Sequence, residues 1–198
     1  MFNPKSLAFV ALAAALAVPA HAIDVAPDAN GAWTQFKVDE LESLSYGVDW
    51  IDNNDTLAPQ HGTPLSFVFD IAQGSFGTLT VVDGGFAGDS FTLTNFGALF
   101  GATSAVAATT VDTAAQFGYD FDGALADARF SNGVFTLAAG SYRIGGALAQ
   151  SVSFNGAPLN STVGALRLVV SAVPEPGSVA LLLAGLGLIA SVARRRRG

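Results

Sequence analysis

The chain has 198 residues, 51% apolar and 13% charged, with a formal net charge of −7 and a mean hydropathy of +0.45. It contains no cysteine, which excludes a disulfide framework, thiolate metal centres, iron–sulfur clusters and thiol catalysis. The negative charge argues against a nucleic-acid partner. These averages mix unlike segments. The stretch 23–173 holds 15 acidic residues against four basic ones, Lys37, Arg129, Arg143 and Arg167, a formal charge of −11.

Residues 1–22 have the build of a secretory signal peptide. Lys5 supplies a positive start, and Leu7–Val18 is an apolar run too short to span a bilayer permanently. Ala20-His21-Ala22 then gives the small-x-small pattern that a signal peptidase reads. Cleavage after Ala22 would start the mature chain at Ile23.

The next segment, 23–172, reads as a single all-β domain. Trp33–Val38 suggests an early strand, and a short helix is expected over Lys37–Leu44. Leu65–Ile71 places Leu, Phe, Phe and Ile on one face with period two. Thr78–Val82 alternates as well and closes on Asp83-Gly84-Gly85, expected to be a turn. Ser90–Thr94 reads as a half-buried strand with threonines on the wet face. A second short helix is expected over Ala124–Arg129. Val134–Leu137 and Ser141–Ile144 flank Ala138-Ala139-Gly140 as a predicted hairpin, and Leu166–Val170 is the last predicted strand. Short strands separated by glycine-rich turns predict an antiparallel β-sandwich or jelly roll.

Few constellations in this domain carry chemistry. Gly88-Asp89-Ser90 resembles the nucleophile motif of a hydrolase family. The domain's one histidine, His61, precedes that serine, however, whereas the family places its base near the C-terminus, and a serine nucleophile needs that base. His61 is expected in an exposed loop. One histidine without acidic or thiol neighbours in sequence cannot build a zinc site. Glu40 and Glu42 are expected on a solvated face, and no catalytic residues are assigned.

Calcium is the one candidate cofactor. Asp49, Asp52, Asn54 and Asp55 make 49–55 an oxygen-rich loop of the kind Ca²⁺ accepts. Asp120, Asp122 and Asp127 form a second acidic stretch, and neither matches EF-hand spacing. Trp33, Tyr46 and Trp50 could stack on sugar rings, and matrix polysaccharide is the corresponding candidate partner.

The C-terminal segment is the most specific feature. Val173-Pro174-Glu175-Pro176 is followed by an uncharged stretch, 178–193, and then by Arg194, Arg195, Arg196 and Arg197. The prolines hold the motif extended. The uncharged stretch would make a helix about 24 Å long at 1.5 Å per residue. That is short for a hydrocarbon core of about 30 Å, so snorkelling arginines would have to help it span as a single transmembrane helix. Four arginines after an apolar helix act as a cytoplasmic stop-transfer anchor.

This three-part arrangement over 173–198 resembles the PEP-CTERM sorting signal of exopolysaccharide-producing Gram-negative bacteria. The resemblance implies processing near Pro-Glu-Pro by an exosortase, a membrane-embedded transpeptidase, after transient anchoring in the inner membrane. It implies release to the cell surface or extracellular matrix. Gly84–Ser104 together with Phe135–Gly145 is similar to ectodomains common among PEP-CTERM proteins, a likeness that brings no activity with it. The expected role is structural or adhesive within an exopolysaccharide layer or biofilm, with a carbohydrate-binding module as the alternative and a secreted hydrolase behind both.

Overall fold

The computed structural model describes residues 22–53, 61–173 and 176–195. Its elements in chain order are β1 (Ile23–Val25), β2 (Asn30–Asp39), β3 (Leu65–Ile71), β4 (Ser75–Asp83), β5 (Ser90–Asn95) and β6 (Ala98–Ala102). There follow α1 (Phe121–Ala126), β7 (Asn132–Leu137), β8 (Gly140–Gln150), β9 (Ser153–Phe154), β10 (Ala157–Pro158), β11 (Ser161–Ala172) and α2 (Pro176–Arg195). The strands form a five-stranded sheet ordered β1-β3-β8-β5-β6, a four-stranded sheet ordered β2-β11-β4-β7, and a β9-β10 ribbon. Every pairing is antiparallel except β1 with β3.

Period-two patterning explains why the two large sheets meet. Phe67, Phe91, Leu93 and Ile144 from the first sheet and Phe36, Leu79, Val81, Leu166 and Leu168 from the second are buried in one shared core. Apolar side chains on alternate residues leave water together only if two such faces stack. Trp50 sits among them with no exposed surface, stacked on Phe36 at a centroid distance of 3.9 Å and edge-on to Phe67 and Phe91. Gly146 leaves room for that indole, since a Cβ there would lie 2.5 Å from the ring.

The four-stranded sheet is covered on its outer face too. Val82 and Ala165, opposite in parity to Val81 and Leu166, pack with Ala87, Phe121, Ala124 and Phe130 in a second cluster. Leu79–Asp83 is consequently buried residue after residue rather than alternately. Trp33 ties α1 to this face. Its indole N–H donates to Asp122 at 3.2 Å, its ring lies 5.8 Å from Phe121, and the Arg167 guanidinium lies 4.4 Å above it.

The predicted antiparallel sandwich is therefore present, with three local corrections. Lys37–Leu44 is not a helix. Lys37, Val38 and Asp39 pair with Val163, Thr162 and Ser161 of β11, and ladder pairing overrides the local helix preference. Asp39 then ends the strand, its carboxylate accepting from the Leu41 and Glu42 amides. The second helix starts earlier than Ala124. Asp120 caps it by accepting from the Gly123 amide at 3.0 Å, and it ends before Asp127, which turns the chain by binding Arg129.

The third correction concerns β7 and β8, which do not form a hairpin. Strand β7 pairs with β4, whereas β8 pairs with β3 and β5, so Ala138-Ala139 crosses from one sheet to the other. The Tyr142 hydroxyl holds that corner by donating to the Ala138 carbonyl at 2.9 Å. At the C-terminal end, α2 begins at Pro176, two residues before the predicted span. Among the described residues no helix is long and apolar enough to cross a membrane. Leu181, Leu182, Leu183, Leu186 and Ile189 of α2 are exposed.

Candidate functional site

The two calcium-candidate stretches do not gather their carboxylates among the described residues. Asp49 and Asp52 flank the segment that buries Trp50 and line different grooves, Asp49 one with Thr92 and Gly145, Asp52 one with Trp33 and Gln35. Asn54 and Asp55 lie outside the described residues. In the second stretch each carboxylate is engaged within the fold. Asp120 caps α1, Asp122 binds Trp33 and Arg167, and Asp127 binds Arg129. Hydrogen bonds from the Arg129 side chain, and then from its amide, hold the Asp127 carboxyl down at about 2. No group of three or more His, Cys, Asp or Glu side chains suited to a metal occurs among the described residues.

Trp33, Tyr46 and Trp50, the expected stacking residues, stand apart from one another. Trp50 is a core residue and cannot meet a sugar. Trp33 is half-buried, with Arg167 over its ring. Tyr46 stands 93% exposed in a tight turn at φ 55°, and none of the ring contacts among the described residues joins these three. What remains near Trp33 is a groove of about 340 Å³ shared with Gln35, Asp52 and Asn53, in which the Asn53 amide donates to Gln35 at 2.8 Å.

His61 is not an exposed loop residue. Its Nε2 lies 3.2 Å from Glu42, whose carboxylate also receives the Lys37 ammonium, and its Nδ1 is buried without a partner.

A cluster that sequence reasoning missed lies at one end of the sandwich. Asp83 closes β4, Asp89 precedes β5, and Thr162 is the second residue of β11. Asp83 and Thr162 fall on the inward parity of their strands, in step with Val81 and Leu166, and Asp89 lies just outside β5, two residues before the buried Phe91. They are fully or almost fully buried. The Asp83 carboxylate accepts from the Gly85 amide at 3.3 Å, and that of Asp89 from the Val152 amide at 2.7 Å. Gly85 is required here, because a Cβ would strike the Thr162 hydroxyl.

Burial, and then the charge of Asp89, push the Asp83 carboxyl up to about 9, against the opposing pull of the Gly85 and Asp89 amides and the nearby Thr162 hydroxyl. Burial raises Asp89 to about 6, opposed by Thr162 and the Val152 amide. At neutral pH Asp83 therefore holds a proton beside an ionised Asp89. The signal available in the sequence was positional. Asp83 lies two residues after Val81, and Asp89 two before Phe91.

The sorting segment leaves the body at the end of β11. Ala172 still pairs with Ser75, and the Val173 amide donates to the Gly74 carbonyl at 2.7 Å. Pro174 and Glu175 lie outside the described residues, Pro176 opens α2, and Arg194 and Arg195 close it, exposed. Arg196, Arg197 and Ala20 are outside the described residues. Ala22 lies immediately before β1, whose Ile23 amide donates to Pro64.

No curated protein and no solved structure matches the chain. Residues 172–197 match the family model of the PEP-CTERM protein-sorting motif. The chain thus carries a PEP-CTERM sorting motif, which implies export, processing by an exosortase and sorting to the cell surface.

Proposed function

We propose that the folded body is a non-catalytic structural or adhesive component of an exopolysaccharide layer or biofilm on a Gram-negative cell. In this reading residues 1–22 are removed by signal peptidase after Ala22, and 178–193 holds the chain transiently in the inner membrane with Arg194–Arg197 on the cytoplasmic side. An exosortase then cuts near Pro174-Glu175-Pro176. The observation that carries it is the motif match over 172–197, which begins at the last residue of a strand. An acidic sandwich is thereby joined directly to a sorting signal.

Replacing Pro174 and Pro176 with alanine should strand the protein in the inner-membrane fraction. Unchanged release of that double variant would sink the sorting reading.

The groove at Trp33 favours a second reading, a carbohydrate-binding module. The exposed part of an indole beside the Gln35 and Asn53 amides combines a stacking surface with hydrogen-bonding groups for sugar hydroxyls. Matrix polysaccharide should then bind the full chain and lose affinity at least tenfold in Trp33→Ala. Equal binding by both proteins, or by neither, removes this reading.

A further inference from the structure

The buried acidic end of the sandwich holds three oxygens whose bonding is incomplete. Asp83 Oδ2, Asp89 Oδ2 and Thr162 Oγ1 are each sealed from solvent without a hydrogen bond of good geometry, although the Thr162 hydroxyl lies near both carboxylates. They come from three separate segments, β4, the lead into β5, and β11, so local sequence does not account for their meeting. Buried polar atoms in native proteins are almost always satisfied, and three incompletely bonded ones in one place call for a missing partner. A cation fits that role, because among the described residues no ion pair reaches either carboxylate.

We propose that Asp83, Asp89 and Thr162 form a calcium site, in which one Ca²⁺ takes Asp83 Oδ2, Asp89 Oδ2 and Thr162 Oγ1. The ion completes its shell with main-chain and water oxygens. The donor set is all oxygen, which suits a hard cation and not zinc or copper. Two carboxylates balance the two positive charges. Gly85, by lacking a Cβ, leaves the Thr162 hydroxyl its place beside the acids. The site is distinct from the 49–55 loop, whose Asp49 and Asp52 line different grooves.

The cluster is walled by β4, the 84–89 loop leading into β5, β11, and Val152 beyond β8.

The test uses the full chain in mild detergent, stripped with chelator and titrated with CaCl₂. At pH 8 the melting midpoint should rise by about 5–10 °C once Ca²⁺ exceeds Kd roughly 100-fold. Calorimetry at pH 8 should give a saturable binding heat with one ion per chain. The Asp83→Asn/Asp89→Asn variant should lose the shift, whereas Asp49→Asn/Asp52→Asn keeps it. An unmoved midpoint at about 10 mM Ca²⁺, well above the Kd of extracellular calcium modules, overturns the proposal. So does a shift retained by Asp83→Asn/Asp89→Asn. If that variant does not fold, the wild-type calorimetry decides, and absence of a saturable heat counts against the site.

Discussion

The middle and the acidic end of the sandwich are built on the same inward-facing register with opposite chemistry. In the middle, Phe36, Trp50, Phe67 and Phe91 fill the space between the sheets with rings in stacked and edge-on contact. At the end, the same alternation delivers Asp83 and Thr162, and the lead into β5 adds Asp89, all to nearly equal burial. Water leaves both places. For the rings its departure is the driving force; for the carboxylates it is a cost that only hydrogen bonds, a proton or a cation can offset. Inward parity determines where a side chain goes, and the side chain determines whether the fold gains by it.

The contrast breaks most severely at Trp50. Trp50→Ala should cost about 3–5 kcal/mol in chemical denaturation. A loss under about 1 kcal/mol would mean the two sheets do not depend on the indole between them.

Next comes the pH response of the cation-free protein. Both acids have native values raised above the ordinary 3.8, so the folded state holds more protons than the unfolded one across that interval. Stability should fall as pH rises from about 4, through about 6 for Asp89 and on to about 9 for Asp83. Thermal melts of wild type in chelator against Asp83→Asn read this, and the variant should have the flatter profile above pH 6. A wild-type profile that climbs over that range would show that the acids are not buried together.

A smaller effect is expected at Gly146. An alanine Cβ would meet the Trp50 ring at 2.5 Å and the Thr92 carbonyl at 2.7 Å, and such overpacking costs about 1–3 kcal/mol. Urea midpoints for Gly146→Ala check it, and a neutral result would show that the indole can shift. The smallest belongs to the outer face. Arg167→Ala removes the cation over Trp33 and the pair with Asp122, 73% exposed, for a loss of about 0.5–1 kcal/mol. A loss above about 2 kcal/mol would make this surface triad as important as the core.

Much of the strand content was legible because alternation is a local signal. Leu65–Ile71 is β3 to the residue, and Ser90–Thr94 is β5 short of one residue. Partnership was not legible. Val134–Leu137 and Ser141–Ile144 lie four residues apart, yet they enter different sheets, because pairing is decided by contacts distant in sequence. Trp50 misleads for a similar reason. Between Asp49 and Asp52 it looks like part of a polar loop, but Ile51 bridges to Lys37 and Asp49 to Ala147, so the segment behaves as strand and turns the indole inward. Asp83 before two glycines reads as turn chemistry. Its membership of the 79, 81, 83 face carried the better information. The sorting motif was readable outright, since a linear signal needs no partner from elsewhere in the fold.

That signal's point of departure has a mechanical consequence. Strand β11 is hydrogen-bonded on both sides, to β2 and to β4, and Val173 is bonded to Gly74 as the chain leaves. A pull along the strand axis at residue 173 meets two antiparallel ladders in shear, with their hydrogen bonds loaded together instead of peeled one at a time from an edge. A body tethered through this end would resist drag along its strongest axis.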